Sequence, residues 1–73
     1  MQQIEINGDT YHIGDRINAA WTTNQGWDQE MEDAEIISIE DGFGPMPTLI
    51  NVEGRRHGIP AEGDNLLHIE KVA

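Results

Sequence analysis

The 73-residue chain has no cysteine, and only four of its residues are lysine or arginine. Without cysteine, no disulfide can cross-link the fold and no thiolate can hold a metal ion. Fourteen acidic residues give a formal net charge of −10. This charge argues against bulk electrostatic binding of nucleic acid or of an anionic membrane, and it favours a basic partner or simple solubility.

Long hydrophobic runs are also missing. Uninterrupted apolar stretches, such as Ile36-Ile37, are no longer than two or three residues, so we expect no membrane-spanning segment. The residues from Met1 to Glu5 lack the basic and apolar regions of a secretory signal. The sequence therefore predicts a soluble, cytoplasmic protein with one domain over residues 1–73, whose core is thin because so short a chain buries only about 60% of its unfolded surface.

The acidic residues are concentrated in the middle of the chain, where no lysine or arginine lies between Arg16 and Arg55. Folding must hold these carboxylates together against their mutual repulsion, so stability should depend on ionic strength. Seven acids lie in the densest run: Asp28, Glu30, Glu32, Asp33, Glu35, Glu40 and Asp41.

A β-hairpin is predicted at the start of the chain. Two alternating segments flank Asn7-Gly8, which favours a type I′ turn because both turn residues need a positive φ. A two-residue loop fixes the register, with Ile6 opposite Asp9 and Ile4 opposite Tyr11. The face shared across this hairpin should then hold Ile4, Ile6, Tyr11 and Ile13.

Further strands are predicted over 16–21, 34–40, 48–53, 59–60 and 66–72. Ile17, Ala19 and Trp21 should share one side of the first of these strands. Residues 22–33 are predicted as a long polar loop with a helical turn at 27–32. A helix over 28–39 is the competing interpretation, but its apolar stripe is poor. Five or six short strands indicate a small antiparallel barrel or sandwich.

One pattern resembles a known family. Ile13-Gly14-Asp15-Arg16-Ile17-x-Ala19-x-Trp21 precedes a loop with Trp27, and then come Ala34-x-Ile36-x-x-Ile39, a strand ending at Val52, Ile59-Pro60 and Leu66-Leu67. Over residues 11–70 this resembles the Tudor/Agenet family of small SH3-like barrels. The resemblance implies an all-β, five-stranded antiparallel SH3-like barrel.

Tudor-type readers hold methylated lysine or arginine in an aromatic cage, which exploits cation–π attraction. The resemblance implies Trp21 and Trp27 as cage residues here, with Tyr11 as a further candidate. The strand that supplies further aromatics in the family contains none in this chain, where it reads Leu49-Ile50-Asn51-Val52-Glu53.

The sequence gives little support to catalysis or metal binding. Its one serine, Ser38, has no evident base, and a barrel of this size rarely has a pocket that separates carboxylate pKa values. His12, His57 and His68 lack metal-ligand spacing. The acids at 28–33 lack the glycine and the terminal glutamate of a calcium loop. We expect no enzymatic activity, no metal site and no cofactor.

The acidic run beside Trp27 and Phe43 supports a protein interface, with aromatic anchors for burial and acids for steering. The leading hypothesis is a non-catalytic module that docks on a basic protein surface. It would act as a nucleic acid mimic of the phage or mobile-element inhibitor kind, and its target would be a nucleic-acid-handling enzyme. The predicted interface residues are Trp27, Asp28, Glu30, Glu32, Asp33, Glu40, Asp41 and Phe43.

Three other interpretations stay open. The chain can be a Tudor-like peptide reader, or a small accessory subunit whose acids only provide solubility. Trp27 and Phe43 can also cap the ends of the barrel instead of binding a partner. The basic segment Arg55-Arg56-His57 is interpreted as a counter-charge to Glu53 or Glu62, in preference to a contact with an acidic patch or a phosphate.

Overall fold

A computed structural model describes residues 1–72, which form seven β-strands and no helix. The all-β prediction is therefore confirmed at this level. No helix in the described residues is long and apolar enough to cross a bilayer. The strands are β1 (Gln3–Ile6), β2 (Asp9–His12), β3 (Arg16–Thr22), β4 (Asp28–Glu40), β5 (Leu49–Val52), β6 (Ile59–Pro60) and β7 (Leu66–Lys71).

The first two strands form the predicted hairpin. Asn7 has φ 52° and Gly8 has φ 88°, so both turn residues adopt the positive φ of a type I′ turn. The predicted register is confirmed, with Ile6 opposite Asp9 and Ile4 opposite Tyr11. Ile6 and Tyr11 are buried, and Ile4 packs partly buried against the core.

Ile13 does not join this face, which corrects the prediction for that residue. It is 40% exposed and lies beyond the end of β2. The chain turns here because the Asp15 carboxylate accepts a 2.8 Å hydrogen bond from the His12 backbone N–H, and the Asp15 N–H donates to the His12 carbonyl. Strand alternation therefore stops before Ile13.

The other five strands form one antiparallel sheet in the order β6-β5-β4-β3-β7. Strands β3 to β6 are neighbours in chain order, and β7 returns to pair with β3 on the opposite side from β4. The first hairpin packs on this sheet through Ile6 and Tyr11, and the Tyr11 hydroxyl donates to the Ile69 carbonyl at 3.4 Å.

The prediction of a long loop over residues 22–33 is wrong. β4 begins at Asp28, so the connection from β3 shrinks to residues 23–27, and neither the helical turn at 27–32 nor the competing helix over 28–39 forms. Pairing of this segment with β3, such as Glu30 opposite Ala20, satisfies its backbone hydrogen bonds. The acids of 28–32 are thus strand residues and not loop residues.

Two irregularities divide β4 and set which side each residue faces. The pairing with β3 shifts register opposite Asn18, where Asp33 has φ 53° and its N–H donates to the Asn18 side-chain oxygen at 2.8 Å. The pairing with β5 shifts between Ile36 and Ser38. A bulge adds one residue and reverses the alternation that follows it. This explains why Ala34, Ile36 and Ile39 can all be buried.

The core lies against one face of the sheet and beneath the hairpin. The predicted alternation of Ile17, Ala19 and Trp21 on β3 is confirmed, since all three are buried. The buried hydrophobic residues are Ile6, Tyr11, Ile17, Ala19, Trp21, Ala34, Ile36, Ile39, Ile50, Val52, Ile59 and Ala61. Charged side chains of β4 are consequently left on the opposite, outward face or at the bulge.

Candidate functional site

Three carboxylates follow the outward side of the first half of β4. Asp28, Glu30 and Glu32 alternate with the partly buried Gln29 and Met31, and all three acids are exposed. Alternate residues of a strand lie about 6.6–6.8 Å apart. Within the described residues, none of the three forms an ion pair with lysine, arginine or histidine. We call Asp28, Glu30, Glu32 and Glu70 the acidic face.

Glu70 joins this face from β7, on the far side of β3. The intervening residues Asn18 and Ala20 are small, which leaves a shallow depression of about 150 Å³ between Glu30 and Glu32 on one side and Glu70 on the other. The Asn18 amide donates to the Glu70 carboxylate at 3.2 Å, and His68 lies 3.5 Å from the same oxygen. These contacts, the Asn18 hydrogen bond first, lower the pKa of Glu70. Glu70 therefore stays ionised at neutral pH.

Asp33 does not belong to the acidic face, because Arg16 holds its carboxylate. The Arg16 Nε donates to Asp33 at 2.6 Å, and the other guanidinium nitrogens lie 3.8 Å from Glu35 and 3.2 Å from Glu53. The hydrogen bond to Asp33 is the main reason that the pKa of Arg16 is raised. One cation on β3 thus offsets the charge of acids from β4 and from the turn after β5.

Substitution of Arg16 by glutamine should lower the melting temperature, with a larger loss at low than at moderate salt. The variant leaves Asp33, Glu35 and Glu53 close together without a counter-charge, and their repulsion is screened as ionic strength rises. Thermal melts at about 10 mM and about 150 mM salt measure both quantities. The unsubstituted chain should itself melt at a higher temperature in the higher salt.

Arg56→Gln is the matched control, because it removes the same charge from an exposed position without an ion pair in the described part of the chain. Its melting temperature should change little. Equal losses in the two variants would show that net charge matters and that the Arg16 cluster does not.

Glu40, Asp41 and Phe43 lie apart from the acidic face. Glu40 ends β4 opposite Leu49, and a long bulged strand separates it from Asp28. Phe43 pairs with Met46 across Gly44-Pro45, and Gly44 has φ 59°, as the first position of a type II′ turn requires. Phe43 is 85% exposed at this tip. The predicted interface residues therefore form more than one surface.

An open groove of about 710 Å³ lies beside Trp27. Its walls are the β3–β4 loop, the 45–47 segment and the 55–58 connection, and we call it the Trp27 groove. Trp27 is 54% exposed, whereas Trp21, which also contributes to the lining, is 2% exposed. Apolar wall residues are Pro45, Met46, Pro47, Leu49 and Pro60.

Arg55 reaches into this wall and covers the indole ring of Trp21. The guanidinium carbon lies 4.8 Å from the ring centroid, within the range of a cation–π contact. The chain's own cation thus covers the ring of Trp21, one of the two predicted cage tryptophans.

Tyr11, the third predicted cage residue, is not brought to the groove. It is 1% exposed, its ring faces the Lys71 ammonium at 5.6 Å, and burial raises the pKa of its hydroxyl. The structure therefore places Trp21 and Trp27 together and puts Tyr11 in the core beneath β7.

Sequence reasoning missed Glu70, and it interpreted Arg55 as a counter-charge to Glu53 or Glu62, whereas within the described residues Arg55 forms no ion pair. The period-two pattern Asp28-x-Glu30-x-Glu32 contained a usable signal, because alternation predicts a strand with its acids on one face. No comparable local signal connects Arg55 to Trp21 or Glu70 to Glu30, since both proximities arise from pairing between distant strands.

Comparisons with protein-family models, with curated proteins and with solved structures find no match for this chain. Within residues 1–72, no group of three or more histidine, aspartate or glutamate side chains is arranged to hold a metal ion. The functional proposals therefore depend on the two surfaces described above.

Proposed function

We propose that this chain is a non-catalytic binding module that docks its acidic face onto the basic surface of a nucleic-acid-handling protein. The observation that carries the proposal is the row of exposed carboxylates at Asp28, Glu30 and Glu32 on one side of β4, none of which forms an ion pair within residues 1–72. In this function the row substitutes for a run of phosphates and inhibits access of nucleic acid to the partner.

The spacing of the row supports this mimicry. Alternate strand residues about 6.6–6.8 Å apart place negative charges at intervals similar to those of successive phosphates along a nucleic acid strand. A paired strand holds this spacing better than a loop does, and residues 28–31 of β4 pair with β3. A basic groove shaped for phosphates would therefore meet preorganised charges.

The strand order supports a Tudor-like, SH3-like barrel as the scaffold. Strands β3 to β6 are consecutive and antiparallel, and the last strand of the chain, β7, returns to pair with β3. This is the connectivity that such a barrel needs. The bulges in β4 favour closure, because they bend a strand and increase its twist. A fold of this kind presents a surface for docking and does not itself determine the partner.

The test compares two variants that lose the same three charges. One removes the β4 row (Asp28→Asn, Glu30→Gln and Glu32→Gln), and the control removes exposed acids elsewhere (Glu5→Gln, Asp9→Asn and Asp64→Asn). Binding to a basic partner isolated by pulldown should weaken by about tenfold or more in the first variant, with a shallower salt dependence. The control should stay close to the original affinity.

Competition provides the second measurement. Duplex DNA should displace the chain from its partner if both occupy the same basic groove. Equal weakening in the two variants would show that the interaction depends on net charge alone and that the β4 row has no special role. Simultaneous binding of DNA and the chain would contradict mimicry even if the row proved important.

A methyl-lysine reader is the second candidate, and the shared position of Trp21 and Trp27 in one groove is the observation that favours it. A ligand would first have to displace Arg55 from the Trp21 ring. Tryptophan fluorescence during titration with methylated and unmethylated forms of one basic peptide separates the candidates. A response that depends on methylation favours the reader, and indifference to methylation favours charge-driven docking.

A further inference from the structure

We infer that the Trp27 groove is a second, independent binding site, for an extended peptide segment that carries an acidic side chain, and that Arg55 anchors this side chain. The proposal goes beyond the acidic face, because it assigns the opposite charge preference to a different surface of the same chain.

The charge of the lining is the first argument. The chain has fourteen acidic residues, yet no aspartate or glutamate lines the groove, where Arg55 and His57 supply the ionisable groups. Within the described residues, Arg55 forms no ion pair. A carboxylate is therefore the complementary group for this wall, and a basic ligand would meet a like charge.

Unsatisfied polar atoms are the second argument. Among the described residues, buried side-chain nitrogens and oxygens that lack a hydrogen-bond partner are the Arg55 Nε and the Thr23 Oγ1, and both residues line this groove. Buried polar groups in folded proteins nearly always have a partner. The Nε is enclosed, so a carboxylate that enters beside Arg55 would have to shift the guanidinium before pairing with its Nε edge, and the pair would then provide the missing acceptor.

The rest of the lining favours a peptide over other acidic ligands. Asn24, Gln25, Gln29 and Asn65 offer side-chain amides that can donate to and accept from a peptide backbone. The half-exposed indole of Trp27 offers a surface for an apolar neighbour of the acidic residue. A nucleic acid is disfavoured because its many phosphates would be repelled by a chain of net charge −10.

The experiment uses three blocked five-residue peptides that differ at one position. The first has glutamate beside phenylalanine, and the other two have glutamine or lysine in place of the glutamate. Titration of the full chain, followed by tryptophan fluorescence and calorimetry, should show binding of the glutamate peptide and at least about tenfold weaker binding of the other two, the loss expected for one charge-assisted hydrogen bond.

Variants locate the site. Arg55→Gln should weaken glutamate-peptide binding by about tenfold, whereas the control Arg56→Gln, which removes the same charge from the next residue outside the lining, should change it less than about threefold. Arg55→Lys keeps the charge and should retain part of the affinity. Thermal melts show whether each variant is folded, and the peptide comparison on the unsubstituted chain stands without any variant.

Several results would overturn the inference. These are equal binding of the glutamate and glutamine peptides, equal losses in Arg55→Gln and Arg56→Gln, no binding of any peptide at millimolar concentration, and sedimentation that shows a second copy of the chain in the groove. The variant lacking Asp28, Glu30 and Glu32 charges should bind the glutamate peptide no more weakly than the original chain. Its result therefore separates this site from the acidic face.

Discussion

Replacement of Trp21 by alanine should lower the free energy of unfolding by about 3–5 kcal/mol, the usual cost of removing a buried tryptophan. Trp21 lies on β3, is 2% exposed in the hydrophobic core, and contacts the Arg55 guanidinium with its ring. A domain of this length has a total stability on the order of 4–11 kcal/mol. The loss is therefore a large fraction of the total stability and should lower the urea midpoint markedly, and Trp21→Phe provides a milder change for quantitative urea denaturation.

Trp27→Ala is the matched comparison, because it removes the same side chain from a position that is 54% exposed. Its unfolding free energy should stay within about 0.5 kcal/mol of the original, as for most surface substitutions. A small loss at Trp21, or a large loss at Trp27, would contradict the division into one core indole and one surface indole.

Gly58→Ala should lower the free energy of unfolding by about 1–3 kcal/mol through overpacking. A Cβ at this position would lie 2.8 Å from the Leu49 Cβ and 2.9 Å from the Asn51 side-chain oxygen. The φ of Gly58 is not positive, so backbone strain does not contribute. Asn51 also donates to the Ser38 hydroxyl at 3.0 Å, and its displacement would disturb the pairing of β5 with β4.

A double-mutant cycle with Asn51→Ala isolates this steric cause. Removal of the Asn51 amide takes away one of the two close contacts, so Gly58→Ala should cost less in that background than alone. Gly58→Ser, which is larger than alanine, should cost at least as much as Gly58→Ala. Denaturant unfolding of the four chains of the cycle gives the coupling, and strictly additive costs would exclude the contact with Asn51.

Local features of the fold were predictable from the sequence. Asn7-Gly8 determines both the turn and the register of the first hairpin, because its conformational preference and the flanking alternation agree. The burial of Ile17, Ala19 and Trp21 follows in the same way from the period of a single strand. Both predictions depend on neighbouring residues alone.

The second half of β4 was correctly predicted as a strand over 34–40, but its first half was predicted as a loop because the pattern of the segment changes twice. The bulge at Asp33 and the shift after Ile36 reverse the alternation, so the segment shows no single period over its length. Its high acid content then suggested a loop. The positive φ of Asp33 becomes understandable only with Asn18 and Arg16, which bind its N–H and its carboxylate from another strand.

The candidate surfaces were predictable only in part. Alternation of Asp28, Glu30 and Glu32 indicates a shared face, but Arg16 removes Asp33 from it and Glu70 joins it through the pairing of β7 with β3. Trp21 illustrates the converse difficulty, since the resemblance implies a cage residue and the structure places its ring in the core beneath Arg55.

The short outermost strand β6 restricts how a partner can attach to the sheet. The Ala61 N–H donates to the Thr48 carbonyl of the neighbouring segment at 2.8 Å, so the nitrogen of the preceding Pro60 faces the open side. Proline has no hydrogen to donate there, which prevents a regular ladder from extending the sheet at this border. Chains therefore cannot pair edge to edge through β6, which protects the protein against fibril-like growth. A partner that binds at this end of the sheet must be recognised by side chains.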